Sequence, residues 1–140
     1  MKQTYQRRTA TWQIVQRIDQ PNLGLVIDAF HIFACNRTVD DLLDIPMEKI
    51  FLGQFSKLAV VPTQAELIET TRHKRLLQGQ GTFPLNTLFD YLASRGYHRP
   101  IGLEVFNDAL HQQPPVEVAK QAMSALQNCL SGPPQGTTTS

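Results

Sequence analysis

The sequence predicts an α/β fold in which short parallel strands alternate with helices. Three observations lead there. Three brief apolar runs, Leu23-Gly-Leu-Val-Ile-Asp28, Ile50-Phe-Leu-Gly-Gln54-Phe55 and Ile101-Gly-Leu-Glu104-Val-Phe106, each carry one oxygen-bearing side chain at or near the end. Runs so short and so rich in Val, Ile and Leu suit strands buried on both faces, as in a parallel sheet covered by helices. Amphipathic stretches of helical period separate and flank them. An acid at the C-terminal end of such a strand stands where α/β barrels and open α/β sheets place their chemistry.

Residues 9–18 read as an amphipathic helix, with Ala10, Ile14 and Ile18 on one face, Trp12 and Val15 flanking, and Gln13, Gln16 and Arg17 opposite. Pro21 ends it, and the first strand runs from Leu23 to Asp28. A loop is expected through Ala34–Arg37. Thr38 then caps a short helix Val39–Asp44, with Asp41 as an acidic version of the capping box. Pro46 closes that helix before the second strand, Ile50–Phe55. Residues 56–82 are the least regular stretch, with helical turns expected around Ala65–Glu69 and a basic run at Arg72–Arg75; so long a connection in a compact domain is usually functional or mobile. Pro84 opens a helix over about Leu85–Arg95, with Leu85, Leu88, Phe89 and Leu92 on one face and Gly96 beyond its end. The third strand is Ile101–Phe106. Val116–Leu130 forms the last helix, its apolar positions including Val116, Ala119, Ala122, Met123, Leu126 and Leu130. Residues 131–140, polar and rich in Gly, Pro and Thr, read as a disordered tail with nothing to pack.

The bulk properties bound the partners. A chain of 140 residues that is 41% hydrophobic suffices for one core. Net charge +1 gives no footprint for nucleic acid or an anionic membrane. No run approaches the roughly 18 apolar residues needed to span a bilayer, and the charged start lacks the apolar segment of a secretory signal. Cys35 and Cys129 match no metal or redox spacing and read as reduced thiols. The expectation is a cytoplasmic protein. Three parallel strands cannot close a barrel, and a complete (β/α)8 barrel takes roughly 200 residues or more; as barrel units, these are the last part of one.

Four motifs in order carry a resemblance: Leu-Val-Ile-Asp28-Ala-Phe-His31; Gly53-Gln54-Phe55; Arg72-His73-Lys74-Arg75 with Gly79-Gln80-Gly81; and Gly102-Leu103-Glu104-Val-Phe-Asn107-Asp108. Together they resemble the xylose-isomerase-like TIM barrels, the sugar phosphate isomerase/epimerase family, and within it most the 3-dehydroshikimate dehydratases, over about residues 5–130. The resemblance implies the last three βα units of a barrel, strands six to eight. It implies Asp28, Gln54 and Glu104 as ligands of a divalent metal ion, Mg²⁺ or Mn²⁺ first and Co²⁺ or Zn²⁺ as alternatives; a fourth ligand, a glutamate of the preceding strand, has no counterpart. It implies His31 as the catalytic histidine and Arg75 as the residue that binds a substrate carboxylate. The implied reaction is loss of water from 3-dehydroshikimate to give protocatechuate. Alternatives are a sugar phosphate isomerase or epimerase, an inosose dehydratase-like enzyme, or a truncated, non-catalytic fold partner. The expected partner is a small-molecule substrate, and further barrel strands or self-association would cover the sheet's edges.

The residue chemistry is consistent with that set. Two carboxylates and an amide oxygen are hard donors suited to a hard divalent cation, and a guanidinium can donate two parallel hydrogen bonds to a carboxylate. Two positions depart from the family pattern: Lys57 stands where an acid is usual, so repulsion of a bound cation is expected, and Gln78 replaces a loop-stiffening proline. Taken singly, Asp28 reads as a cap and Gln54 as a backbone partner. A solvated face suits Arg72–Lys74, and the surface suits His73, His98 and His111. A carboxylate inside the run at Glu104 is costly to bury unless something positive meets it.

Overall fold

A computed structural model of the chain describes residues 11–131. The expected tail from residue 132 onward and Ala10 of the expected first helix lie outside the described residues. The elements are helix α1 (residues 11–18), strand β1 (Leu25–Asp28), helix α2 (Ala29–Phe33), two 3-10 turns (Val39–Leu42 and Met47–Lys49), strand β2 (Ile50–Phe55), helices α3 (Leu67–His73) and α4 (Leu85–Ser94), strand β3 (Ile101–Leu103), and helices α5 (Asp108–His111) and α6 (Pro115–Leu130). The strands form a parallel sheet in the order β1-β2-β3. No helix among the described residues is long and apolar enough to cross a membrane.

Register places the chemistry. Asp28 pairs with Gln54, and Gln54 with Gly102. Side chains alternate along a strand, so Asp28 and Gln54 share a face, and Glu104, two residues beyond Gly102, joins them. The other face meets the helices. Phe55 is fully buried there against Phe89 of α4, ring centroids 4.8 Å apart, in a core that also holds Ile27, Phe30, Phe33, Ile50, Leu85, Leu88 and Leu92.

Several expectations need correction. Burial on both faces fails at Val26, 55% exposed on the edge strand β1, because helices cover one face of the sheet and no strand pairs with β1 beyond β2 among the described residues. The third strand is shorter than expected. It stops at Leu103, and beyond it the Glu104 N–H still donates to the Phe55 carbonyl at 3.3 Å. Helix α2, which the periodicity does not announce, follows β1 directly because the Asp28 carboxylate accepts from the Phe30 N–H at 2.8 Å and caps it; the expected loop at 34–37 comes after it. Thr38 does cap the next turn, accepting from the Asp40 N–H, but that turn is a 3-10 helix ending at Leu42.

The outer helices bury narrower stripes than their periodicity suggests. In α1 Val15 is buried and Trp12 half-buried, while Ile14 and Ile18 are exposed. In α6 Leu126 is buried and Val118, Ala122, Ala125 and Cys129 are half-buried; Val116, Ala119, Met123 and Leu130 face outward. The cause in α6 is that it packs on α4, so only the stripe turned that way is covered. Cys35 and Cys129 are both free thiols.

The connection between β2 and α4 returns over the strand ends. Its Gly81 (φ +71°) stands where an added Cβ would collide with the Leu58 carbonyl, whereas Gly79 (φ +84°) faces open space. Gly81→Ala should therefore cost roughly 2–4 kcal/mol, and Gly79→Ala only about 1 kcal/mol for its left-handed backbone. Urea unfolding of the two variants checks this. Equal losses would show that the Leu58 contact does not constrain the loop.

Candidate metal and substrate site

The site gathers at the C-terminal ends of the strands, and its centre is an arginine. Arg75 is 2% exposed, the one buried member of a basic run whose other residues face solvent. Its Nη1 donates to Asp28 Oδ2 at 3.3 Å, to Glu104 Oε2 at 3.2 Å and to the Glu104 carbonyl at 3.4 Å. Its Nε donates to the Thr71 carbonyl at 2.9 Å. The guanidinium lies over the Phe30 ring at 4.3 Å and near Phe106 at 5.2 Å. Burial of a charge on this scale requires partners of opposite sign, and Asp28 and Glu104 supply them.

Backbone pairing fixes where Arg75 points. Lys57 and Leu76 exchange two hydrogen bonds, 2.9 and 2.7 Å, in an antiparallel bridge. One residue earlier the Arg75 N–H donates to the Phe106 carbonyl at 2.9 Å, and Asn107 Nδ2 donates to the Arg75 carbonyl at 2.9 Å. Asn107 also caps α5 by accepting from the Leu110 N–H at 3.0 Å. On the exposed side of this segment Lys74 donates to Glu69 at 2.7 Å, a hydrogen bond that holds the Glu69 carboxyl below its usual range and the Lys74 ammonium above its own.

The other site side chains surround this centre. Gln54 Nε2 lies 3.5 Å from Glu104 Oε1. His31, one turn along α2 from Asp28 and 62% exposed at its side chain, places Nε2 3.6 Å from Asp28 Oδ2. A cavity of about 190 Å³ opens beside them on the β1 edge, lined by residues that include Val26, Asp28, His31 and Leu42. Asp28, Gln54, Glu104, His31 and Arg75 thus meet in one place. His73 pairs with Asp108 at 3.0 Å on the surface, and His98 and His111 are exposed. Among the described residues Lys57 makes no ion pair with Asp28 or Glu104. Gln78 is buried, and both its amide atoms lack a hydrogen-bond partner among the described residues.

The donor set, two carboxylates and an amide, suits a divalent cation in its chemistry. Asp28 Oδ2 and Glu104 Oε2 converge to within 3.3 Å of a single nitrogen that already bears positive charge. Among the described residues no three His, Cys, Asp or Glu side chains cluster closely enough for a metal site by themselves, so the candidate relies on the Gln54 amide, whose oxygen must turn toward the carboxylates. The expected two-pronged grip of Arg75 on a substrate is not available as it stands, because Nε and Nη1 are committed inside the protein. Nη2 alone has no acceptor among the described residues.

Three residues escape sequence reasoning. Phe30 and Phe106 read as core or rim positions, and nothing local announces that they flank a cation. Asn107 carries a usable signal, an N-cap residue directly before a short helix, though its second bond to Arg75 is long-range.

The sequence profile of the xylose isomerase-like TIM barrel family matches residues 3–129. A 3-dehydroshikimate dehydratase of Pseudomonas aeruginosa is 39% identical over 104 residues, 74% of this chain and 16% of that protein. An inosose isomerase of Halalkalibacterium halodurans is 27% identical over 111 residues, 79% of this chain and 38% of that protein. Among solved structures, a xylose isomerase-like TIM barrel/4-hydroxyphenylpyruvate dioxygenase fusion protein superposes with TM-score 0.77 at 28% identity, covering 87% of this chain and 19% of that one. An IolI protein described with a bound zinc atom superposes with TM-score 0.76 at 23% identity, covering 86% and 42%. The chain thus spans less than half the length of each of these relatives, and its parallel sheet with helices is a partial α/β barrel. It belongs to the xylose isomerase-like TIM barrel family.

Proposed function

We propose that this chain supplies the last strands of a metal-dependent lyase site resembling that of 3-dehydroshikimate dehydratase, where 3-dehydroshikimate loses water to become protocatechuate. The observation that carries this reading is the convergence of Asp28, Gln54 and Glu104 on one face of neighbouring parallel strands, with His31 and Arg75 at the same point. The likeness to a dehydratase at 39% identity supports the substrate. Asp28, Gln54 and Glu104 are the side chains that would hold Mg²⁺ or Mn²⁺. When bound, such an ion polarises a carbonyl and makes the adjacent C–H bond more acidic.

This chain's own residues supply the rest. His31 accepts the proton from the carbon beside that carbonyl and returns it to the departing hydroxyl, so that a C–H and a C–O bond break, a C=C bond forms and water leaves. Asp28 Oδ2, 3.6 Å from His31 Nε2, steadies the positive ring that results. Arg75 holds the substrate carboxylate, beginning with its uncommitted Nη2. The surrounding Phe30 and Phe106 rings exclude water from the guanidinium and strengthen each of its bonds.

A second reading, an isomerase or dehydratase acting on a keto-sugar or inosose, is favoured by the inosose isomerase likeness. A third, a non-catalytic fold partner, is favoured by the arginine already standing between the two carboxylates. One experiment separates the three: fuse this chain to the N-terminal strands of the Pseudomonas dehydratase and assay 3-dehydroshikimate and inosose. Turnover of 3-dehydroshikimate is expected, with Glu104→Ala and Asp28→Ala each losing about 100-fold or more. Turnover of inosose alone selects the second reading, and a folded but inert chimaera the third. Full turnover in Glu104→Ala would remove the metal centre from the mechanism.

A further inference from the structure

We infer that Arg75 is the built-in counter-ion of the metal-binding carboxylates, and that loading a divalent cation releases it to grip the substrate. The inference rests on reading Asp28, Gln54 and Glu104 as a metal centre, and it adds an order of events: cation first, carboxylate substrate second.

The argument is geometric. Arg75 Nη1 stands 3.3 Å from Asp28 Oδ2 and 3.2 Å from Glu104 Oε2. The remaining carboxylate oxygens are also in use, Asp28 Oδ1 by the Phe30 N–H at 2.8 Å and Glu104 Oε1 by Gln54 Nε2 at 3.5 Å. A divalent ion needs oxygen donors at about 2.0–2.6 Å. The nearest donors are the two oxygens that Nη1 bridges, so ion and Nη1 compete for the same gap. Both are positive, and the arginine side chain is 3% exposed, where water screens repulsion poorly. Without a cation, the same guanidinium keeps two carboxylates from repelling each other and holds them at a spacing an ion can use.

Arg75 cannot leave altogether. Nε is tied to the Thr71 carbonyl at 2.9 Å, and Phe30 lies against the guanidinium at 4.3 Å. An arriving ion therefore turns the guanidinium's far edge out of the gap and leaves its near edge in place. That movement frees Nη1 to join Nη2, which has no acceptor among the described residues. The two together form the fork that a planar carboxylate requires. By linkage, a bound carboxylate must then favour the cation in return.

The test is a Zn²⁺ titration of the 140-residue chain by calorimetry and thermal unfolding, with Arg75→Gln and Arg75→Lys beside the natural protein. Arg75→Gln should bind Zn²⁺ on the order of tenfold more tightly, because the competing charge is gone. Its unfolding temperature should also rise more on Zn²⁺ addition than that of the natural protein. Arg75→Lys, which keeps the charge, should stay near the natural value. A purely structural arginine would make both variants bind more weakly. The natural chain gives a second readout through ¹⁵N resonances of Arg75, whose terminal nitrogens should shift as Zn²⁺ saturates. Should Arg75→Gln fold only with Zn²⁺ present, that too supports the inference; should it not fold at all, the Arg75 resonances decide. Equal or weaker binding by Arg75→Gln, or unmoved resonances at saturation, overturns the counter-ion role and leaves the metal centre standing. No Zn²⁺ binding by any of the three proteins overturns both.

Discussion

Asp28→Ala is expected to lower the unfolding free energy of the chain by about 3–5 kcal/mol, the loss of a helix cap and of one partner of a buried ion pair taken together. Two losses add. Oδ1 is the cap of α2, accepting the Phe30 N–H at 2.8 Å, and removing such a cap costs about 1 kcal/mol. Oδ2 meets Arg75 at 3.3 Å, with the two side chains 11% and 3% exposed, so the guanidinium would be left with Glu104, itself 35% exposed. Asp28→Asn separates the two effects, because its amide oxygen still caps the helix while the charge is gone. Urea unfolding should rank the natural protein above Asn and Asn above Ala. If Ala costs less than about 1 kcal/mol, the carboxylate is not part of the folded framework.

Phe30→Ala should cost a similar amount, about 3–5 kcal/mol, by opening a cavity at a fully buried ring. The same ring supports Arg75 at 4.3 Å from its centroid. Phe30→Leu refills most of the volume but supplies no π face, so its stability loss should be about 1 kcal/mol larger than repacking alone predicts. A double-mutant cycle with Arg75→Gln isolates that coupling. A coupling near zero would show that the ring fills space beneath the guanidinium and does nothing for its charge.

The parts of this site that can be read from the sequence are those in which function and local pattern coincide. Asp28, Gln54 and Glu104 each stand at or near the end of a short apolar run, which sets them at the same end of a parallel sheet, while their sharing one face follows from the register of Asp28 with Gln54 and of Gln54 with Gly102. Helix α4 is equally plain, since Leu85, Leu88, Phe89 and Leu92 repeat at helical spacing and all are buried. Arg75 is different. Its neighbours Arg72, His73 and Lys74 are solvated as a basic run should be, and only the pairing of residues 74–76 with Asn107 and Lys57 turns this one side chain inward. Such pairing joins segments distant in sequence, which no local periodicity records. The outer helices mislead for the opposite reason. Ile14, Val116 and Met123 look like core by period, yet burial follows the neighbour that is there, and α6 is covered where it packs on α4.

The bridges at Lys57–Leu76 and Lys74–Asn107 divide the long connection into a pinned tripeptide and two outer arms. Residues 59–61 and 63–66 in one arm, and 79–82 in the other, are exposed, although Gly81 and Thr82 are held against Leu58. Insertions or deletions in those arms, away from Gly81 and Thr82, can lengthen or shorten the rim without moving the arginine, because the two antiparallel bridges bear the displacement. A change of even one residue between His73 and Leu77 has no such freedom: it rotates the next side chain into the carboxylates' place. Variation among proteins built on this plan is therefore predicted to accumulate in the arms and to spare the three residues between the bridges.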